Sequence, residues 1–184
     1  MAHPTSRRWM TEDEYLAFEH ASAVKHEFVD GAVYAMTGTS MRHNRIALNI
    51  HRRLDDLGRR RGCQAFALDV KVRVPDGRYY YPNVVATCEP QDLDELSIHA
   101  PCLVVEVTSP STMSTDRREK PPAYRTISAL GAYLIVDHRR RRVTRHWRGE
   151  DGEWQREDLS GDAVVPLPCP PGAQLTLDEI YQNA

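Results

Sequence analysis

The sequence predicts one α/β domain over residues 1–184 with an added C-terminal β-meander. Two runs, Leu103-Val104-Val105-Glu106-Val107 and Tyr133-Leu134-Ile135-Val136-Asp137, are apolar at both parities, the mark of strands covered on both faces. A helix somewhere in 114–130 separates them, which is the strand–helix–strand pattern of a crossover unit. Val143 to Trp147 and Trp154 to Glu157 then read as the meander.

The remaining elements follow in order. Thr11-Glu12-Asp13-Glu14 has the spacing of a capping box and predicts a first helix over about 12–21, with Tyr15, Leu16 and Phe18 on its apolar stripe. Asp30-Gly31 lies between two β-rich runs and predicts a hairpin. From His43 to Arg61, Ile46, Ile50, Leu54 and Leu57 recur at three- and four-residue intervals, predicting the longest helix, stopped by Gly62. Val70, Val72 and Val74 alternate with Lys71 and Arg73 on a strand, Pro75-Asp76-Gly77 turns the chain, and Tyr79 to Thr87 returns as another strand. Residues 88–100 read as an acidic loop, and Thr176-Leu177-Asp178-Glu179 as a final capped helix.

Composition excludes several classes of function. No apolar run approaches the roughly 20 residues of a membrane span. The start of the chain has no apolar segment of the kind a secretory signal carries, so a cytoplasmic location is expected. The four cysteines, Cys63, Cys88, Cys102 and Cys169, form no C-x-x-C pair; their scatter argues against a structural zinc site and against disulfides, and they read as reduced filler. A net charge of -2 gives no global footprint for nucleic acid, so any such binding has to be local.

Glu106 is the most informative residue. A carboxylate inside so apolar a strand is expensive to desolvate unless it binds a cation or is hydrogen-bonded. The alternatives are a buried ion pair with an arginine and a strand end that reaches water. Asn83 stands beside Pro82 on the preceding strand, 23 positions before Glu106. Two oxygen-bearing side chains on adjacent strands suit a hard cation such as Mg²⁺, with the other positions left to water and phosphate.

These motifs, in this order, carry a resemblance: Lys25-His26-Glu27-Phe28-Val29-Asp30-Gly31, Arg42-His43-Asn44, Tyr79-Tyr80-Tyr81-Pro82, Leu103 to Val107 with Ser109-Pro110-Ser111-Thr112, Asp116-Arg117-Arg118-Glu119-Lys120, and Tyr133 to Asp137. The chain resembles the Uma-type family of restriction endonucleases, within the PD-(D/E)XK nuclease superfamily. That resemblance implies a restriction-endonuclease-like fold, a central mixed β-sheet flanked by helices. It also implies a Mg²⁺- or Mn²⁺-dependent endonuclease acting on nucleic acid, foremost DNA; chain length by itself suggests one domain, paired as a homodimer. Catalytic positions carried over are Glu27, Asn83, Glu106 and Lys120, with Asn83 and Glu106 as metal ligands. The superfamily lysine usually lies two positions after the Glu, where this chain has Thr108, so Lys120 is the migrated candidate.

Two departures bear on activity. Position 83 is Asn where the family has Asp: an amide oxygen can coordinate but carries no charge, which lowers divalent affinity. Pro121-Pro122 follows Lys120, so the next helix is expected to begin at Pro121 with Lys120 on its threshold. His43 and Lys71 are candidates for supporting the site, His43 from the inward stripe of its helix. The competing readings are a core-edge histidine, a solvated strand lysine, and a surface Glu27 paired with Lys25 or His26. Asp116 is equally explained by charge near a helix N-terminus, and the run Arg139 to Arg142 by a solvated turn. The alternative function is a catalytically inactive nuclease-fold module that binds nucleic acid or serves assembly.

Overall fold

The computed structural model describes residues 9–90, 96–108 and 119–184. Thr11 caps α1 (Glu12–Ala21) as its spacing predicts: its hydroxyl accepts from Glu14 N–H (3.3 Å) and the Glu14 carboxylate accepts from Thr11 N–H (2.8 Å). Asp30 and Gly31 both take positive φ, 49° and 82°, as a type I′ turn requires, and join β1 (His26–Val29) to β2 (Ala32–Ala35). α2 (Met41–Gly58) is capped by Ser40 and buries His43, Ile46, Ala47, Ile50 and Leu54, the stripe that the periodicity predicts. It ends at Gly58, one turn earlier than expected.

The chain continues through β3 (Gln64–Ala67), β4 (Lys71–Arg73), β5 (Tyr79–Tyr80), β6 (Val84–Thr87), β7 (Ser97–Ile98) and β8 (Leu103–Thr108). After these come α3 (Lys120–Arg125), β9 (Ala132–Asp137), β10 (Arg142–Arg148), β11 (Trp154–Ser160), β12 (Val164–Pro166), β13 (Gln174–Thr176) and α4 (Leu177–Ile180). The central sheet has the order β11-β10-β9-β8-β6-β3, and it is mixed because β8 and β9 run parallel while the other pairs are antiparallel. A second sheet, β2-β1-β5-β4-β7, lies beside it, and β12 and β13 form a ribbon. Among the described residues no helix is long and apolar enough to cross a membrane.

β8 is covered on both faces, as its composition predicts. Leu103, Val105 and Val107 join the core formed with α2 and α4; Val104 joins the opposite core with Ala123 and Tyr124 of α3 and with Val72 and Tyr80 of the second sheet. Parity therefore directs Glu106 toward the α3 side. The meander is β10 and β11, paired from Arg142↔Ser160 to Arg148↔Trp154. Arg139 to Arg142 are exposed at the turn before it.

Several expectations are corrected. The strand expected over Tyr79 to Thr87 breaks at Pro82, and its halves enter different sheets, β5 pairing with β1 and β4 and β6 with β3 and β8. Proline has no N–H to continue a ladder, which makes the break local and sharp. β3 and β7 had no strong signal. α3 includes Lys120, with both prolines in its first turn, where the N–H groups lack helical partners anyway. The cysteines are not reduced filler: Cys63–Cys88 and Cys102–Cys169 are disulfides, across sequence separations of 25 and 67. Asp116 and Ser109 to Thr112 lie outside the described residues.

The meander gives the fold a pH dependence. Buried His146 on β10 lies 3.0 Å from Arg125 Nη2, and a guanidinium only donates, so Nδ1 must accept. Burial, together with the nearby charges of Arg125 and Arg156, pushes the imidazole down to about 4. An unfolded histidine titrates near 6.5, so between these values the unfolded chain binds the extra proton. The stability that neutral His146 contributes is fully present above pH ~6.5 and is lost as pH falls through about 4. Urea midpoints measured across this window should fall steeply for the native chain and less steeply for His146→Gln; equal slopes would remove His146 as the cause.

Candidate active site

The site is built where one face of β8 meets the second sheet and α3. Glu106, 3% exposed, accepts at Oε1 from Lys120 Nζ (3.1 Å) and from the Tyr124 hydroxyl (3.1 Å). Lys120 also donates to Glu27 Oε1 (2.8 Å), so one ammonium links a carboxylate of each sheet. Glu27 is held in turn by Tyr81 N–H (3.2 Å). The Lys120 ammonium also lies over the Tyr80 ring, 5.5 Å from its centroid. Tyr80 donates to Glu119, the N-cap of α3 (3.3 Å). Burial and the Glu106 charge push Tyr124 well above the ordinary tyrosine range, so its hydroxyl stays protonated and remains a donor.

The backbone beside Glu106 is clamped from both ends. Val84↔Val105 is the last β6–β8 pair; just past it, the half-buried Asn83 offers Oδ1 to Val107 N–H (2.7 Å) in place of a strand carbonyl. His43 Nε2 lies 2.6 Å from the Val107 carbonyl. Because that oxygen only accepts, Nε2 carries the proton.

Of the residues singled out from sequence, Glu27, Glu106 and Lys120 meet directly, and Asn83 and His43 join through Val107. Lys71 does not join them. It is 4% exposed, not solvated, because α1 packs over its side of β4, and its ammonium lies 5.5 Å from the Tyr15 ring and 5.9 Å from that of Tyr79. Burial lowers its pKa. Glu27 is not the partner of Lys25 or His26; these pair with Asp69 (2.5 Å) and Glu19 (2.9 Å). Thr108, in the position usual for the superfamily lysine, is fully buried and donates to the Val136 carbonyl (3.3 Å). Sequence reasoning missed Tyr124 and Tyr81; only their nearness to Lys120 and Pro82 could have pointed to them.

The donor set suits a hard divalent ion, since two buried or half-buried carboxylates face a single cationic point. Asn83 suits it less well. Its Oδ1 is engaged by Val107, and the other terminal atom, Nδ2, is a donor.

The chain is similar to several known proteins. Uncharacterized protein slr1290 of Synechocystis sp. is 33% identical over 176 residues, covering 95% of this chain and 92% of that protein. Uncharacterized protein sll1609 of the same organism is 31% identical over 158 residues, covering 83% and 89%. The fold matches the crystal structure of "a putative nuclease belonging to DUF820" from Anabaena variabilis, with a TM-score of 0.72 at 16% identity over 94% of this chain and 97% of that one. Residues 12–178 match the Uma2 family, described as "Putative restriction endonuclease", and the chain belongs to that family.

Proposed function

We propose that this protein is a divalent-metal-dependent endonuclease-type phosphodiester hydrolase acting on DNA, working through Glu27, Glu106 and Lys120 and weakened by Asn83. The observation that carries this reading is the convergence of Glu27 and Glu106, from two different sheets, on one Lys120 ammonium. Glu106 and Glu27 would hold Mg²⁺ or Mn²⁺, with Asn83 contributing at most the second lone pair of Oδ1. Such an ion supplies charge neutralisation at the scissile phosphate and activation of water. Lys120 keeps an ammonium beside both carboxylates, where its charge stabilises the negative charge growing on a phosphate oxygen. Tyr124 and Tyr81 fix the carboxylates that Lys120 bridges, and His43 and Asn83 fix the strand that presents Glu106, so little reorganisation is left for the reaction.

Cleavage of supercoiled plasmid with Mg²⁺ or Mn²⁺ tests the reading in three proteins: the native chain, Asn83→Asp and Glu106→Gln. Slow nicking by the native chain, faster nicking by Asn83→Asp and none by Glu106→Gln is expected. Absence of cleavage by both the native chain and Asn83→Asp would sink it and leave the non-catalytic module.

A further inference from the structure

The end of the central sheet away from Glu106 gathers all four cysteines. Cys63 immediately precedes β3 and Cys88 immediately follows β6, and the register Gln64↔Thr87 sets them across from each other. Cys102 immediately precedes β8 and is fixed by its N–H to the Ala86 carbonyl (2.9 Å). Cys169 arrives from the segment between β12 and β13. That segment comes so close to the sheet that a Cβ on Gly131 would lie 2.6 Å from Pro168 Cβ, so the approach requires glycine. The two disulfides are in contact: Cys88 Sγ lies 3.9 Å from Cys102 Sγ, and the sulfurs of Cys88, Cys102 and Cys169 all lie within 4.8 Å of one another.

We propose that these cysteines form a redox-gated soft-metal site, closed as two disulfides when oxidised and binding Zn²⁺ through tetrahedral thiolates when reduced. Zinc–sulfur bonds of about 2.3 Å set the edges of such a tetrahedron near 3.8 Å. The Cys88–Cys102 separation already has that length, Cys169 lies in the same group, and opening the S–S bonds lets Cys63, the one sulfur outside that group, rotate from its place on Cys88 toward the fourth corner. Each bridge takes two electrons and two protons from a dithiol reductant, giving two cysteine thiols and the disulfide of the reductant. Binding Zn²⁺ then releases the four thiol protons to solvent. A tetrathiolate centre carries net negative charge. Arg61, whose carbonyl lies 3.7 Å from Cys63 Sγ, sends its guanidinium to the Pro171 carbonyl (2.5 Å), two residues past Cys169, and so puts a cation on the same edge. Cys102 and Glu106 are four residues apart on an extended strand, roughly 13 Å, so this site is separate from the carboxylates.

Anaerobic titration of the full chain with Co²⁺, before and after dithiol treatment and removal of the reductant, tests the proposal. The reduced chain is expected to take up one equivalent more than the oxidised chain, with a thiolate-to-cobalt charge-transfer band in the near ultraviolet and intense tetrahedral d–d bands. One equivalent of Zn²⁺ should bleach both. The oxidised chain should show neither, excess Mg²⁺ should leave both bands in place, and Cys102→Ser should lose intensity. If reduction unfolds the chain, recovery of the far-ultraviolet dichroism on adding Zn²⁺ supports the site. A reduced chain with four titratable thiols and no charge-transfer band overturns it, as does the same band in the oxidised chain.

Discussion

Lys120→Met is expected to destabilise the protein by about 3–5 kcal/mol, the cost of removing one partner from a buried ion pair. The native ammonium is 6% exposed at its side chain and links carboxylates that are 15% and 4% exposed, so its loss leaves two negative charges facing each other with little water. Methionine nearly preserves the volume, so packing changes contribute little. Urea unfolding measures the loss. Mg²⁺ should restore part of it, because a cation between the carboxylates replaces what the ammonium supplied. A loss below about 1 kcal/mol would mean that the carboxylates are solvated after all and that the pair is of the weak surface kind. Failure of Mg²⁺ to raise the midpoint of the variant would count against Glu27 and Glu106 sharing an ion.

Asn83→Asp is expected to raise Mg²⁺ and Mn²⁺ affinity about tenfold or more, since affinity of oxygen sites follows the number of charged ligands. One carboxylate oxygen can keep the Val107 N–H bond that Oδ1 accepts now, so strand pairing survives. The second oxygen replaces Nδ2 and adds an anionic donor. If position 83 reaches the ion as proposed, a third carboxylate at the site also repels the other two when no cation is bound. The variant should therefore be less stable than the native chain in chelator and more stable in millimolar Mg²⁺, a reversal that a neutral structural role for position 83 does not produce. Calorimetric titration of both proteins reads the affinity directly; equal values would show that position 83 does not reach the ion.

How much was legible in the sequence depended on the range of the interaction. Capping at Thr11 and Thr176, the turn at Asp30-Gly31 and the buried stripe of α2 are local rules, and they hold residue by residue. Glu106 was legible because an ionised group in an apolar strand needs compensation whatever the fold. What compensates it was only partly legible. Lys120 was found through resemblance, whereas Tyr124 and Tyr81 act across the fold and have no periodic signature. Lys71 misled because alternation on β4 tells which face a side chain takes, but not that α1 covers that face. The cysteines misled for the same reason. Their separations of 25 and 67 carry no motif, and it takes the order of strands β3, β6 and β8 and the approach of the segment between β12 and β13 to bring them together.

The two-sided burial of β8 also governs which chemistry its end can present. Sliding the strand by one residue against β6 and β9 would turn Glu106 into the apolar layer of α2 and point Val107 at Lys120, because side chains alternate with a period of two. Asn83 and His43 both grip Val107, at the only stretch where β6 no longer pairs with β8. They act there as a stop against slippage. A substitution that loosens either contact therefore threatens the direction in which the acid faces before it alters any bond the acid makes.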